Sequence, residues 1–378
     1  MTARPIALCE TWFDSAETDS VRRALSGRVA GNGPFGQKVE QRLSAMLAGH
    51  RVLLTTSCTH ALELALMALG IGKGDEVICP SFTFVSTANA ILRVGARPVF
   101  AEIEEETLGL DCADVATRLT PRTAALLPVH YGGIACDMDA LTALARGRNL
   151  RVVEDAAQGL AASYRGAPLG TLGDAGCFSF HETKNVTCGE GGAVAISDPA
   201  IAARAEIMRE KGTNRSAFVR GEVDKYTWVD EGSSYIISDV LAAILDAQLD
   251  KLPEIQARRR AVSQAYRERL AAWARRKGVK MPAPPPDRET NDHLFALLLP
   301  DPARRAAFIA FLKAKGVMAT FHYVPLHSSP FWEKYSGEAP SLPVTDRVAA
   351  SLVRLPLHPR LSEEDLDRVV AAVEEAPV

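Results

Sequence analysis

The chain has 378 residues, of which 47% are hydrophobic and 6% aromatic, and this is enough to bury a large core. The 43 basic and 46 acidic residues leave a net charge of −3, so the chain lacks the overall positive charge typical of nucleic-acid-binding proteins. It contains no secretory leader pattern and no apolar run of about 18 residues, so we expect neither secretion nor a membrane span. The seven cysteines are scattered without a Cys-x-x-Cys pair, which predicts reduced thiols in the cytoplasm and no disulfide framework or zinc site.

Helical and strand patterns alternate along the first half of the chain. A helical stretch at 18–26, a glycine-rich loop at 31–36 and an amphipathic helix around 39–47 come first. Apolar runs typical of strands follow at 76–79, 98–100, 124–129, 152–153, 176–180 and 193–196, with helical patterns at 61–69, 88–92, 138–145 and 201–209. This alternation predicts an α/β fold with a large, mostly parallel sheet flanked by helices.

The second half of the chain has a different organisation. Residues 211–234 lose periodicity and are predicted to form a long functional loop. The elements predicted after it are a long helix at about 239–270, a proline-rich stretch at 281–287, a strand at 293–299, a helix at 303–315, a strand at 317–321 and two late helices. We therefore predict a large α/β domain over residues 1–245 and a small α+β domain over residues 246–378, connected by the long helix.

Asp155 and Lys184 are the residues that point most directly to chemistry. Asp155 follows an apolar run, at the position where strands of α/β folds present side chains to a ligand. Lys184 lies in a turn-rich segment followed by several glycines. Pyridoxal phosphate needs a lysine that binds it covalently and a carboxylate that keeps its ring nitrogen protonated. Each residue alone has a plainer interpretation, Asp155 as a helix N-cap and Lys184 as a surface charge.

Other side chains suit the remaining parts of this cofactor. The hydroxyl-rich segment Thr55–His60 opens a predicted helix, whose free backbone amides favour a phosphate. Ser179 lies between two core-facing phenylalanines and has a hydroxyl that suits the same phosphate. Phe84 offers a ring for stacking, and Gln158 an amide for the phenolic oxygen. The plainer alternatives are an ordinary N-cap for the hydroxyl segment, a core position for Phe84 and a capping-box partner for Gln158.

Several long strings resemble the DegT/DnrJ/StrS family of nucleotide-sugar aminotransferases, and the resemblance spans nearly the whole chain. The strings cover residues 55–59, 80–90, 154–158, 178–192, 209–216 and 224–228. They are most similar to the dTDP-4-amino-4,6-dideoxygalactose transaminases of that family. The resemblance implies the aspartate aminotransferase-type fold, known as fold type I, with a large sheet domain and a small C-terminal α+β domain.

The resemblance also implies residue roles toward pyridoxal 5′-phosphate, which becomes pyridoxamine 5′-phosphate during the cycle. Lys184 would form the internal aldimine, Asp155 would meet the pyridine nitrogen, and Gln158 would meet the phenolic oxygen. Ser234 stands where many relatives carry an asparagine that reaches the phosphate from the neighbouring subunit. The implied cofactor contacts are Ser57, Cys58, Thr59, Phe84, Asp155, Gln158, Ser179, Lys184 and Ser234.

The substrate contacts are predicted in two regions. The loop over 211–228 mixes basic and aromatic residues, a mixture suited to a diphosphate and a stacked base. A string at 322–327 resembles the family segment that closes over the sugar, although either of its histidines could be a packing residue; the two histidines form a poor metal pair, so no metal is predicted. The predicted contacts are Phe35, Lys211, Arg215, Lys225, Tyr226, His322, Tyr323 and His327.

The activity implied is transfer of an amino group from L-glutamate to C4 of dTDP-4-keto-6-deoxy-D-glucose, in a homodimer with shared active sites. The products would be 2-oxoglutarate and dTDP-4-amino-4,6-dideoxy-D-galactose or its gluco epimer. Two alternative functions stay open. The chain could transfer the amino group to C3 of a dTDP-3-keto sugar, or it could be a non-catalytic regulator that binds pyridoxal phosphate. Lys184 argues against the family's dehydratases, which carry histidine there, and the lack of an early Gly-x-Gly-x-x-Gly argues against a nicotinamide-dependent epimerase or dehydrogenase.

Overall fold

A computed structural model of the chain describes residues 4–337 and 339–378. The strands are β1 (Arg51–Thr55), β2 (Glu76–Pro80), β3 (Arg97–Ala101), β4 (Thr123–Leu126), β5 (Arg151–Asp155), β6 (Ser163–Tyr164), β7 (Ala167–Pro168), β8 (Ala175–Ser179), β9 (Gly192–Ile196), β10 (Arg288–Glu289), β11 (Phe295–Leu298) and β12 (Leu352–Leu355). Residues 1–3 of the predicted large domain lie outside the described residues.

The helices occupy the positions between these strands and both ends of the described chain. They are α1 (Ser15–Leu25), α2 (Pro34–Met46), α3 (Cys58–Ala68), α4 (Val85–Arg93), α5 (Cys112–Arg118), α6 (Met138–Arg148), α7 (Pro199–Arg209), α8 (Arg215–Val219), α9 (Asp239–Lys277), α10 (Arg305–Ala314), α11 (Pro330–Ser336), α12 (Pro343–Ser351) and α13 (Glu363–Glu375). Within the described ranges, no helix combines the length and the apolar character that a membrane span requires.

The main sheet has seven strands in the order β1-β9-β8-β5-β4-β2-β3. The five strands from β3 to β8 are parallel to one another, and β9 pairs antiparallel with both β8 and β1. The predicted mostly parallel sheet flanked by helices is therefore confirmed. Strand β1 was not among the predicted strands, although it contains the buried apolar run Val52, Leu53 and Leu54; it pairs with β9.

The parallel order places the carboxyl ends of β2, β4, β5 and β8 along one edge of the sheet. In open α/β sheets this edge is where ligands bind. Asp155 is the last residue of β5, and Ser179 is the last residue of β8. The sheet therefore brings two of the predicted site residues to the same edge.

A second core lies around β11 and β12, which pair antiparallel. The prediction of a strand at 317–321 is wrong, because that segment makes only isolated bridges, from Val317 to Ile6 and from Thr320 to Arg354. Strand β12 takes its place beside β11, and its register pairs Phe295 with Leu355. Because Arg354 interrupts the apolar run at 352–355, the sequence gives little local indication of a strand there.

Helix α9 connects the two cores. Its first half packs with Leu249 and Ile255 against α2 and β1, and its second half packs with Tyr266 and Trp273 against the β11–β12 core. The helix begins at the predicted residue and continues to Lys277, beyond the predicted end. The proposed domain boundary at 245/246 falls inside this helix and stays a prediction.

Candidate active site

Asp155 forms the floor of the site at the carboxyl end of β5. Its side chain is buried, with Oδ2 accepting a hydrogen bond from Thr87 Oγ1 at 2.8 Å and Oδ1 accepting one from the Ala157 N–H at 3.2 Å. Burial raises the pKa of Asp155, while these hydrogen bonds and the positive charge of Lys184 oppose the rise. The two hydrogen bonds fix the orientation of the carboxylate.

The residue before Asp155 anchors the strand end to the loops behind it. Glu154 is fully buried, and its carboxylate accepts hydrogen bonds from the backbone N–H groups of Gly170, Leu172 and Gly173 at 2.8, 2.6 and 2.7 Å. His130 Nδ1 accepts from the Cys136 N–H at 3.2 Å, so Nε2 carries the ring proton and donates to Glu154 Oε2 at 2.9 Å. This network holds Asp155 in place through the backbone.

Lys184 lies in the loop between β8 and β9 and is half-buried. Burial lowers the pKa of its amine, and Asp155 acts in the opposite direction. Across the described ranges, the side chain of Lys184 has no hydrogen bond and no ion pair. The next residue, Asn185, fixes this loop by donating from Nδ2 to the Asn291 carbonyl at 2.8 Å. The structure therefore places an unengaged amine close enough to Asp155 for the two charges to influence each other's pKa.

The start of α3 forms a cradle with free backbone donors. Ser57 is the N-cap of α3 and accepts a hydrogen bond from the His60 N–H at 3.2 Å. The N–H groups of Ser57, Cys58 and Thr59 donate to no acceptor in the parts of the chain that the structure describes. Four unpaired N–H groups are normal at a helix start, and they attract an anion such as a phosphate.

Gly192 allows this cradle to lie against the sheet. A Cβ atom at Gly192 would lie 2.3 Å from the Ser57 carbonyl carbon and 2.4 Å from the Cys58 nitrogen, which is closer than real contacts permit. In the β8–β9 register Gly192 faces Ser179. The Ser179 hydroxyl therefore lies on the strand next to the cradle.

Gln158 and Phe84 lie at the opening of the site. Gln158 is buried, and its Oε1 accepts from the Gly132 N–H at 2.7 Å, so its Nε2 donates to Tyr323 Oη at 3.1 Å. The Phe84 ring is 57% exposed, and its centroid lies 6.2 Å from that of Tyr323. An exposed ring at this edge can stack on a planar ligand.

These groups match the chemical parts of pyridoxal phosphate. Lys184 provides an amine for the aldehyde, Asp155 a carboxylate for the ring nitrogen, and the α3 cradle donors for the phosphate. Phe84 provides an aromatic face. The unpaired N–H groups at the start of α3 are the observation that fits the phosphate most directly.

A sequence model of the DegT/DnrJ/EryC1/StrS aminotransferase family matches residues 12–374. The chain belongs to this family. The spore coat polysaccharide biosynthesis protein SpsC of Bacillus subtilis (strain 168) is 35% identical over 366 residues, which are 94% of this chain and 93% of that protein.

Solved aminotransferase structures match this chain over nearly its whole length. The DesV structure from S. venezuelae matches with a TM-score of 0.89 at 34% identity, covering 99% of this chain and 98% of that one. A putative sugar aminotransferase from Streptococcus pneumoniae, Spr1654, matches in its pyridoxamine phosphate form with a TM-score of 0.91 at 26% identity, covering 98% and 97% of the two chains. Spr1654 is also known in a pyridoxal phosphate form. The predictions of fold type I and of a pyridoxal phosphate-dependent aminotransferase are confirmed.

His322 lies above the site of the aminotransferase, in contact with two other polar groups. Its Nδ1 lies 2.9 Å from Tyr131 Oη, and its Nε2 lies 3.3 Å from Arg354 Nη1. Since arginine can only donate, Nε2 accepts, and the ring proton lies on Nδ1. Burial, together with the charges of Arg354 and Lys184, lowers the pKa of His322 to about 2, so the ring is neutral.

Arg354 is a residue of the site that the sequence analysis missed. It lies in β12, and its charge influences the pKa values of Lys184, His322 and Tyr323. A signal was present, because an arginine inside the apolar run 352–357 is unusual for a buried strand.

The buried side chain of His327 lies between the loop after β2 and helix α12, and both its ring nitrogens are engaged. Nδ1 lies 2.7 Å from Ser81 Oγ, and Nε2 lies 3.3 Å from Asp346 Oδ1. Only 3% of the residue is exposed. These contacts are the ones expected if His327 is a packing residue. Its direct contact with substrate stays a prediction.

The other predicted substrate residues make no contact with Lys184 or Asp155 in the described residues. Lys211, Arg215, Lys225 and Tyr226 are exposed on the loop between α7 and α9, and so is Ser234. Phe35 is half-buried in α2, with the Arg23 guanidinium 5.8 Å from its ring centroid. No hydrogen bond, ion pair or ring contact within the described ranges joins these six residues to Lys184 or Asp155. Their predicted roles require a bound ligand or a second subunit.

Arg215 also lines a cavity with a volume of about 610 Å³. Its wall includes Arg28, Arg51 and Arg220, and two of these arginines are paired with Glu206. None of the predicted cofactor contacts lines this cavity.

Proposed function

We propose that this aminotransferase moves an amino group from L-glutamate to C4 of dTDP-4-keto-6-deoxy-D-glucose. The observation that carries the proposal is the unengaged Lys184 amine within electrostatic range of the oriented Asp155 carboxylate at the sheet edge and of Cys58 at the start of α3. A sugar as acceptor is supported by Spr1654, which is described as a putative sugar aminotransferase, and by SpsC, which is named for polysaccharide biosynthesis. The dTDP-linked 4-keto sugar is supported by the resemblance of the strings at 80–90 and 209–216.

Lys184 and Asp155 have different proton roles in this proposal. Pyridoxal phosphate, when bound, supplies an electron-accepting ring that makes the Cα–H of the donor acidic. Asp155 holds the ring nitrogen protonated, and its hydrogen bonds from Thr87 and Ala157 keep the carboxylate aimed at that atom. Lys184 would hold the cofactor covalently. Its amine would also accept the Cα proton of the donor, and burial favours this role because it lowers the pKa of the amine.

The remaining side chains bind and orient. The Ser57, Cys58 and Thr59 amides and the Ser179 hydroxyl hold the phosphate, Phe84 stacks on the ring, and Gln158 lies at the phenolic oxygen. Lys211, Arg215 and Lys225 bind the diphosphate of the sugar nucleotide, and Tyr226 stacks on its base. Phe35, His322, Tyr323 and His327 complete the contacts around the sugar.

A homodimer with shared active sites completes the proposal. The loop between α7 and α9 exposes Phe218, Tyr226 and Trp228, which are 41%, 53% and 79% accessible. Large exposed aromatic side chains on one loop support a surface that a partner or ligand covers. Ser234 would reach the phosphate of the neighbouring subunit from this loop. A location in the cytoplasm is supported by the seven cysteines, which are all free thiols.

The test combines the purified enzyme with L-glutamate and dTDP-4-keto-6-deoxy-D-glucose. We expect 2-oxoglutarate and one amino sugar nucleotide, whose proton couplings locate the nitrogen at C4. A large H3–H4 coupling identifies the gluco product, and a small one the galacto product. An amine at C3 would replace the proposed acceptor by a 3-keto sugar. A protein that is coloured by pyridoxal phosphate but does not react with L-glutamate would favour the regulator, and a colourless, glutamate-inert protein that binds the sugar nucleotide would overturn the enzyme.

A further inference from the structure

The loop that carries Lys184 is tied to the rest of the chain through the neighbouring residue, Asn185. Asn185 is buried, its Nδ2 donates to the Asn291 carbonyl at 2.8 Å, and its Oδ1 lies 2.9 Å from His293 Nδ1. Apart from the bonds of Asn185, one hydrogen bond in the described residues joins 181–187 to chain outside 179–192, and it is accepted by a backbone carbonyl at position 182. The position of the Lys184 backbone therefore depends on the side chain of Asn185.

The hydrogen-bond geometry fixes the tautomer of His293. Because Asn185 Nδ2 is the donor to Asn291, the Oδ1 that faces His293 can only accept. His293 Nδ1 therefore carries the ring proton and donates it. Burial and the positive charge of Lys184 keep the pKa of His293 well below its usual value, so the ring is neutral. His293 thus offers Asn185 one N–H donor in a fixed orientation.

The segment 291–293 is itself held from two sides. Asn291 Nδ2 donates to the Gln158 carbonyl at 2.8 Å. Arg259 of α9 donates to the two following carbonyl oxygens, at 3.0 and 2.5 Å. Strand β11 of the second core begins two residues after His293. The segment therefore connects the backbone of a predicted cofactor contact, the Lys184 loop and the second core.

A buried histidine can also be an ordinary packing residue, and His358 provides the comparison. His358 is 3% exposed, and neither of its ring nitrogens has a hydrogen-bond partner in the described ranges. His293 differs because its one N–H donor is used on the residue next to Lys184. A buried polar pair is costly to desolvate, and what it adds over an apolar pair is a fixed geometry.

We propose that His293 is a positioning residue for Lys184 and acts through Asn185. The inference rests on Lys184 as the cofactor lysine of the proposed function. An amine that bonds to the cofactor and also carries a proton must be precisely placed, since a misplacement of about 1 Å can cost about 100-fold in rate. The hydrogen bond from His293 to Asn185 provides this placement, and the segment 291–293 ties it to the second core.

The test uses the whole chain freed of cofactor and follows the condensation of pyridoxal phosphate with the Lys184 amine, which releases water. His293→Leu removes the donor to Asn185, and we expect condensation to slow about tenfold. His293→Asn keeps a donor, because the amide nitrogen of asparagine is as many bonds from Cα as Nδ1 of histidine, and its rate should stay within about threefold of wild type.

Pyridoxamine phosphate separates positioning from general damage to the site. It uses the same phosphate cradle but forms no bond with Lys184, so calorimetry should give an affinity within about twofold of wild type for both variants. In the glutamate half-reaction, L-glutamate converts the pyridoxal phosphate form to the pyridoxamine phosphate form. For His293→Leu the saturated rate of this half-reaction should fall about tenfold, while the half-saturating L-glutamate concentration stays unchanged.

His358→Leu is the matched control, because it removes a buried imidazole that has no hydrogen-bond partner in the described residues. It should condense with pyridoxal phosphate at the wild-type rate. Asn185→Ala removes the acceptor of the same hydrogen bond and should slow condensation as much as His293→Leu. The two losses should not add in the double variant, since both changes remove one interaction. Circular dichroism shows that each variant is folded.

Two results would overturn the inference. One is a folded His293→Leu that condenses with pyridoxal phosphate at the wild-type rate. The other is a His293→Asn that is as slow as His293→Leu, with the affinity for pyridoxamine phosphate lost in both. If His293→Leu does not fold, Asn185→Ala decides by the same rate and the same affinity. Failure of the proposed function is a different observation, in which the wild-type chain condenses with pyridoxal phosphate but leaves the keto sugar unchanged.

Discussion

The floor of the site and the loop between α7 and α9 differ in how complete they are within one chain. Both oxygens of Asp155 accept hydrogen bonds, and the residues behind it form a closed buried network. The loop exposes Arg215, Tyr226 and Trp228, which have no contact with the floor in the described residues. The floor therefore needs only the cofactor, while the loop needs a substrate or a second subunit before its side chains can act.

The largest expected effect is at Lys184. Lys184→Ala removes both the covalent anchor and the proton carrier, so we expect amino transfer to fall by about 10⁴-fold or more. Single-turnover absorbance with L-glutamate measures it. Lys280→Ala, which removes an exposed lysine paired with Glu105, serves as the control and should leave the rate unchanged. A variant at Lys184 with near-normal turnover would assign the proton transfer to another residue.

Asp155→Asn should have the next largest effect. The amide can keep a hydrogen bond with Thr87 but cannot hold the ring nitrogen protonated, so we expect the rate of the glutamate half-reaction to fall by about 10³-fold. Burial raises the pKa of Asp155 in the folded protein, and the Thr87 hydrogen bond opposes that rise. Thr87→Val should therefore give a smaller loss of the same kind. Equal rates for Asp155→Asn and wild type would show that the carboxylate has no role in the reaction.

The floor was the more predictable of the two regions. Asp155 and Ser179 end strands whose apolar runs are evident locally, so their place at the sheet edge follows from the parallel order. Strand β1 was missed although Val52, Leu53 and Leu54 form an apolar run, and β12 was missed because Arg354 interrupts its apolar run. Arg354 was missed with β12, since its neighbours at the site come from other parts of the chain. The contacts of Arg215 and Ser234 cannot follow from one chain, because the groups they are predicted to meet lie outside it.

Gly192 provides a stability test of the floor. Gly192→Ala forces a Cβ against the Ser57–Cys58 backbone, and relieving this overlap should cost about 1–3 kcal/mol of unfolding free energy. Cofactor affinity should fall as well, because the displaced backbone carries the phosphate donors. Gly147→Ala is the control, since a Cβ there has nothing within 4 Å. Denaturation of both variants with and without cofactor measures the two effects, and equal curves would show that the cradle is not tightly packed against β9.

The loop should respond in the opposite way, with the smallest effect. Arg215 is exposed in α8, and no ion pair holds it in the described residues. Arg215→Gln should therefore leave the unfolding free energy within about 0.5 kcal/mol of wild type. The KM for the sugar nucleotide should rise about tenfold through the loss of a charge-assisted contact with the diphosphate. The glutamate half-reaction, which does not involve the nucleotide, serves as the internal control. If the glutamate half-reaction slows as much as the sugar half-reaction, the loop affects the residues around Asp155 as well. The loop and the floor of the site would then not be independent.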